Sequence, residues 1–408
     1  MLGITSKGYI IVDFKLLGSI LLIVGTSIGA GMLALPIATA QLGFVGSLIL
    51  LVVCWAVMTV GAFLILEVSL WLPTNSNMIS MASTTLGPVG QVLAWITYLL
   101  LLYSLLCAYI AGGSDLFHYL LDAASVSLPR WLGPIIFTII FGAVVFCGIH
   151  AVDYTNRALM FLKFTAYFLL VIFLTPHVTS INLFEGDLKE LMSASAITVT
   201  VISFGFAAIV PSLRIYFGGD IKKLKKAILI GSLIPLFCYA IWDAVIMGVI
   251  PLYGEHGLRE ILGSDNSTSG LVATLTYATS STSINLFAKI FTSICVLTSF
   301  LGVSLCLVDF LADGLHQEKT GLSGVFIHLL TLVPPVIVVI FYPKAFIKAL
   351  EYGGIYCLIL LVLLPAWMAW RGRYYHRLYG GFRVFGGRIV LAILIIFSLA
   401  IIGANVLK

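Results

Sequence analysis

Charged side chains are scarce in this 408-residue chain, with 22 Lys and Arg against 17 Asp and Glu, 10% of the whole. Soluble domains carry about 25%, so most of this chain cannot face water. The excess of +5 does not point to nucleic acid, because the basic residues gather in short connections between apolar runs, a pattern that sets membrane topology. No CxxC occurs. All seven cysteines (Cys54, Cys107, Cys147, Cys238, Cys295, Cys306 and Cys357) lie within apolar runs and only Cys147 has a histidine close by, His150, so they read as packing residues, and neither metal nor cofactor is expected. HExxH is absent, GxSxG occurs once, as Gly25-Thr26-Ser27-Ile28-Gly29 inside an apolar helical run with no strand before it, and none of the seven histidines is paired with another. An intramembrane enzyme, the reading from a different class, therefore lacks the strand-turn-helix setting and the partner residues that such a motif needs. A passive channel lacks a ring of charges or a repeated carbonyl filter.

What the chain has in abundance is apolar length, with 61% hydrophobic residues. Runs of about 20 apolar residues, enough to cross a bilayer as helix, predict an all-α polytopic membrane protein with eleven spans. They fall near 16–40, 44–70, 90–121, 131–149, 156–176, 191–215, 226–250, 284–312, 323–342, 346–370 and 387–406. With a cytoplasmic N-terminus, the outer side holds Arg130, Lys189, Arg259, Lys289, Lys344, Lys348 and Lys408, seven of the 22 basic residues, and the other fifteen, Lys7 and Lys222 to Lys226 among them, are inside. That bias predicts N-terminus in and C-terminus out. Ala38-Thr39-Ala40 mimics a signal-peptidase site, but the first run is too long for a signal peptide and is expected to be retained. Residues 251 to 283 read as an outer surface loop, with a short helix after it; Asn266-Ser267-Thr268 reads as a chance glycosylation pattern.

Two spans are interrupted. In the first, Gly25-Thr26-Ser27-Ile28-Gly29-Ala30-Gly31 precedes Pro36; in the sixth, Ser203-Phe204-Gly205-Phe206 precedes Pro211. In hydrocarbon each freed backbone group costs several kcal/mol, about 2–7, so a break persists where protein, water or a ligand satisfies it. Paired broken spans in corresponding positions of two halves point to a secondary transporter with its site at the breaks. The architecture expected is a cytoplasmic tail (1–15), a first repeat of five helices (16–176), an external loop (177–190), an inverted second repeat (191–370), a basic cytoplasmic loop (371–386) and an extra helix (387–408). A zwitterion fits such a site: N–H groups around Thr26 to Gly29 take a carboxylate, and carbonyls around Val24 and Ser203 to Gly205 take an ammonium. The hydroxyls of Thr26 and Ser27 either donate to the ligand or back-bond to their own helix.

Gly25-Thr-Ser-Ile-Gly-Ala-Gly-Met-Leu-Ala-Leu-Pro36, Ser203-Phe-Gly-Phe206 with Pro211-Ser212, and Thr298-Ser-Phe-Leu-Gly-Val-Ser304 followed by Asp309-Phe-Leu-Ala-Asp313 resemble the bacterial aromatic amino acid permeases, particularly the tyrosine-specific ones, within the amino acid/polyamine/organocation superfamily. The resemblance covers nearly the whole chain. It implies a leucine-transporter-type fold, residence in the bacterial inner membrane, and import of an aromatic amino acid, tyrosine foremost, by proton symport with alternating access. Sodium coupling and a different neutral amino acid are the alternatives within that class. Where the family has a small residue or a histidine after Phe-Gly-Phe, Ala207-Ala208 stand here.

An aromatic substrate needs a flat apolar pocket, for which Tyr98, Tyr103 and Tyr109 in span three, Phe204 and Phe206 at the second break and Phe300 in span eight are the candidates, Phe204, Phe206 and Tyr103 foremost. Ionisable groups inside the membrane cost about 2.5–3.5 kcal/mol each, so Glu67, Asp115, Asp243, Asp309, Glu351 and Lys163 each require a reason; Asp309 and Asp313 suit a gate or a salt bridge and, equally, proton handling. Lys163 is the expected coupling group. The fold implied by the resemblance brings it against spans one and eight, where sodium-coupled members of the superfamily hold a cation, and a lysine amine can release its proton where an arginine cannot. The competing reading is a lysine that snorkels beside Arg157.

Overall fold

The computed structural model describes residues 2–4, 10–12, 14–74, 76–123, 125, 129–264, 266–342 and 345–406. Lys7, Lys344 and Lys408, used above to orient the chain, lie outside the described residues. Helix dominates. The departure is a two-stranded antiparallel ribbon in the N-terminal tail, Leu2–Ile4 with Ile10–Val12, paired Leu2 to Val12.

In chain order the helices are α1 (Phe14–Ser27), α2 (Ala30–Ala38), α3 (Gly43–Leu70), α4 (Met78–Leu86), α5 (Pro88–Ala123), α6 (Leu132–Phe146), α7 (Ile149–Leu174), α8 (Ser180–Phe184) and α9 (Ala194–Ser203). There follow α10 (Val210–Phe217), α11 (Ile221–Val249), α12 (Leu258–Gly263), α13 (Ser267–Thr279), α14 (Thr282–Leu315), α15 (Gly321–Phe341), α16 (Ala345–Leu358), α17 (Leu364–Tyr374) and α18 (Gly387–Val406). Among the described residues nine helices are long and apolar enough to cross a membrane, and the pair α1 and α2, bent by 51°, makes a tenth. The fourth expected span coincides with α6, which is apolar but has only 15 residues.

Two helix starts differ from expectation for the same reason. The span expected from 156 begins at Ile149, after Gly148 with φ +89°. Its polar first turns are stitched by Asp153 and Arg157 at 2.8 Å, an i,i+4 pair that a helix carries outside hydrocarbon. The span expected from 226 begins at Ile221, with Asp220 accepting from Lys223 N–H as the cap, so the lysine cluster is helix and not loop. The expected outer loop is instead two helices, α12 and α13. Thr268 donates to Asp115 at 2.6 Å, and Ser269 donates through N–H at 2.8 Å and Oγ at 2.6 Å. The polar run there is the start of a buried helix capped from α5.

Packing follows these lengths. α1 and α3 lie on α11, α2 on α9, α14 on α5 and α7, and α16 on α5 and α9. Two prolines shape individual helices. Pro334 has no N–H for the Leu330 carbonyl four residues back, and Tyr103 Oη donates to that carbonyl at 2.8 Å. Pro365 likewise has no N–H for the Leu361 carbonyl, which lies in a π turn at Ile359–Leu363 that joins α16 to α17 and stands where a side chain at Gly61 would be.

Candidate functional site

The first interruption is real and buried. After α1 the backbone bends at Ile28 and Gly29 and resumes as α2. Ile28 N–H still reaches the Val24 carbonyl at 2.9 Å, so that carbonyl is occupied by its own helix. Ala30 N–H donates to Ser299 Oγ on α14 at 3.0 Å. No partner for the N–H groups of Gly29 and Gly31 occurs among the described residues. The free donors thus lie slightly downstream of Thr26 to Gly29, at the start of α2, where the helix dipole is positive.

The carbonyl side of the break is held by two side chains from other helices. Lys163 Nζ on α7 donates to the Ile28 carbonyl at 2.6 Å and reaches Thr298 Oγ1 on α14 at 3.5 Å, and its side chain is buried. It does not run to the surface beside Arg157, which is paired with Asp153. Thr298 itself donates to the Ile294 carbonyl at 2.8 Å, so its oxygen is an acceptor towards Lys163. Tyr239 Oη on α11 lies 2.6 Å from the Ser27 carbonyl and 2.8 Å from the Ser203 carbonyl. One hydroxyl proton serves two acceptors, which leaves lone-pair capacity at the meeting point of both broken spans.

At the second interruption α9 ends at Ser203, a 3₁₀ turn runs Gly205–Ile209, and α10 resumes before Pro211. The two breaks touch. A Cβ at Gly31 would stand 3.0 Å from Ser203 Oγ and 3.5 Å from its Cα, so the missing side chain lets the strands of backbone meet. Phe204 is buried with its ring 5.2 Å from that of Tyr239, edge to face, and Phe206 is buried.

The other sequence candidates fall elsewhere. Thr26 and Ser27 direct their hydroxyls to carbonyls of α1, at 2.9 Å and 3.0 Å to Ile23, and Thr26 is exposed. Gly25 packs against Met160 of α7. Phe300 is buried with its ring 5.2 Å from Phe137 of α6, and Tyr103 serves the proline kink of α15. Sequence reasoning missed Tyr239 and Ser299; the adjacent hydroxyls Thr298-Ser299 on span eight were the available signal for the second, and nothing local marks the first.

The remaining intramembrane charges resolve in different ways. Glu67 forms a buried two-pronged pair with Arg373, at 2.7 Å and 2.5 Å, and accepts Val384 N–H at 2.7 Å. Asp309 is partly exposed and paired with Lys319 at 2.8 Å, and Asp313 is exposed. Glu351 pairs with Lys348 at 2.8 Å and with the Ser195 hydroxyl. Asp243 is buried with Ser47 Oγ at 2.5 Å. Among the described residues no group of His, Cys, Asp and Glu could hold a metal ion.

The sequence profile described as the tryptophan/tyrosine permease family matches residues 13–405. A tyrosine-specific transport system 1 of Haemophilus influenzae is 34% identical over 388 residues, 95% of this chain and 95% of that one. A tryptophan-specific transport protein of Pseudomonas aeruginosa is 30% identical over 400 residues, 96% and 94% of the two chains. Among solved structures, a manganese transporter of Eremococcus coleocola, crystallised with an aromatic bis-isothiourea compound, superposes with a TM-score of 0.64 at 14% identity over 96% of this chain and 86% of that one, a likeness of fold alone.

Proposed function

This chain belongs to the tryptophan/tyrosine permease family, a family of membrane transport proteins and not of enzymes, and from that premise we propose that it imports an aromatic amino acid, tyrosine foremost, across a bacterial inner membrane by proton symport. The arrangement proposed is eleven spans, the ten above, in which α9 with α10 and α16 with α17 each make one, together with α6, built as a five-plus-five inverted repeat plus α18, with the N-terminus cytoplasmic. Tyrosine is favoured over tryptophan by the higher identity to the tyrosine-specific relative.

The observation that carries the reading is the buried break itself. Gly29 and Gly31 offer free N–H groups for a carboxylate, and the Ser27 and Ser203 carbonyls, sharing one hydroxyl proton, offer acceptors for an ammonium. Phe204 and Phe206 flank the second break and give the aromatic ring an apolar wall. Phe300 and Tyr103 would enter the pocket only if α6 and α15 move away from them. Lys163 is the proton carrier in this reading. Protonated, its ammonium bridges the Ile28 carbonyl and Thr298 Oγ1, so α1, α7 and α14 are held together. Deprotonated, the amine loses the charge that ties it to the carbonyl, and the break is released. A sodium ion is the second reading within this class, but the ammonium already occupies the acceptors a cation would need.

The test is counterflow and accumulation of labelled tyrosine, tryptophan and phenylalanine in proteoliposomes, with and without a pH gradient and sodium. Accumulation driven by the pH gradient, lost in Lys163→Gln and Lys163→Arg while exchange persists, is the expected result. Concentrative uptake by Lys163→Gln with wild-type pH dependence overturns the coupling assignment.

A further inference from the structure

Two carboxyl side chains are fully buried among the described residues, Glu67 and Asp243, and their surroundings are opposite. Glu67 is neutralised by Arg373 and receives three donors. Asp243, near one end of α11, has Ser47 Oγ beside Oδ2 at 2.5 Å, and its Oδ1 has no partner among the described residues. The cations on the helices around it are engaged elsewhere. Lys163 of α7 holds Ile28, Arg214 of α10 reaches the carbonyls of Leu72 and Pro73, and Lys15 of α1 lies over the Tyr216 ring. On the same helices, Tyr167 donates to the Cys238 carbonyl at 3.0 Å, Tyr277 of α13 lies against His256, and His177 contacts the Phe173 carbonyl. Beside Cys54 and Glu67, α3 brings no titratable group, and α2 and α8 bring none. No Lys, Arg or His is in ion-pair contact with Asp243 among the described residues.

A carboxylate in apolar surroundings with one donor and no cation is costly; a carboxylic acid there is not. The neighbouring hydroxyls accept the extra proton without conflict. Thr39 Oγ1 stands 3.0 Å from Ser47 Oγ and 2.8 Å from the Leu35 carbonyl. With Asp243 protonated, each hydroxyl donates once along the row from Asp243 to Ser47, to Thr39 and into that carbonyl, and Oδ1, as the acid's C=O, has no proton to place. Thr39 ends α2, whose other end is the substrate break. One turn back on α11, Tyr239 touches both broken spans. The proton on Asp243 is therefore tied to the seating of α2.

We propose that Asp243 is a second proton-binding site, distinct from Lys163, which holds a proton while the Thr39 end of α2 is tied to Ser47 of α3 beside α11 and releases it when that end of the bundle opens. Release breaks the carboxyl O–H bond, leaves the electron pair on the carboxylate and passes the proton to water. The proposal rests on the permease reading above, under which this end faces outward, so that external protons favour closure over bound substrate.

The test is infrared spectroscopy of the full-length protein in liposomes at neutral pH, where exposed carboxyls are ionised. A carboxylic-acid C=O band is expected in the wild type. It should vanish in Asp243→Asn and change frequency in Ser47→Ala, which keeps the acid and removes its neighbour. In uptake assays the dependence of initial rate on external pH should flatten in Asp243→Asn and return in Asp243→Glu. A wild-type spectrum without the band, or a band unaltered in both variants, overturns the proposal. If the band behaves as expected but no pH gradient drives accumulation, the symport reading falls and the Asp243 site stands.

Discussion

At the scale of single residues, the breaks are held by groups with little redundancy. Tyr239 has one proton for two carbonyls, so Tyr239→Phe strips the side-chain donor that the Ser27 and Ser203 carbonyls share while keeping the ring that meets Phe204. Buried acceptors left without a donor cost about 1–3 kcal/mol; the variant should lose thermal stability by that order and bind substrate with altered affinity, both measurable on purified protein. At Gly29 a Cβ would collide with Ser299 Oγ, so Gly29→Leu displaces the hydroxyl that accepts Ala30 N–H and covers the free donors. Surface expression should persist and uptake should be abolished. A correctly inserted Gly29→Leu protein with wild-type affinity would remove the break from the site. Phe204→Tyr and Phe204→Trp should change the uptake ratios of tyrosine, phenylalanine and tryptophan, since the ring lies edge to face on Tyr239; unchanged ratios would assign Phe204 to packing.

At the scale of elements, hydropathy located ten apolar spans of membrane length among the described residues, α1 with α2 counted as one, because burial in lipid is a property of runs, and Gly and Pro located both breaks because they act on their own backbone. Helix starts at Ile149 and Ile221 were misjudged because polarity and helicity are separate properties: Asp153 with Arg157, and Asp220 as a cap, are polar and helical at once. The partners of the breaks were legible only in part. Lys163 stood out as a charge in an apolar run, whereas Tyr239 depends on how α11 packs on α1 and α9, which no local pattern encodes. Arg214 is of the same kind. From α10 it donates to the carbonyls of Ser69, Leu72 and Pro73, at 3.0 Å to Leu72 and 3.3 Å to Pro73, and so caps the end of α3. Arg214→Met keeps the length and removes the donors. It should loosen this end of the bundle, read as faster labelling of a cysteine placed at Ser76, with no change at the opposite end.

At the scale of the whole molecule, Glu67 and Arg373 join α3 to α17 and to the chain leading into α18, through Val384. Removing one member strands the other charge, at a cost of about 3–5 kcal/mol, so Glu67→Met should express poorly and melt early. The double change Glu67→Met with Arg373→Leu should recover much of the loss, and equal melting of single and double variants would contradict this account. The short α6 has a consequence of another sort. Its 15 residues make a rod of about 22 Å at 1.5 Å per residue, beside a hydrocarbon layer of about 30 Å. An apolar groove between α6 and α15, floored by Gly142 and Ala143 and walled by Phe146, Leu329 and Leu332, opens on that side. On the eleven-span arrangement proposed above, in which α6 crosses the bilayer, lipid tails there shorten or splay to match the rod. The permease should consequently turn over fastest in liposomes of shorter acyl chains and slow as the bilayer thickens, and lengthening α6 by a turn of leucines should shift that optimum towards thicker membranes.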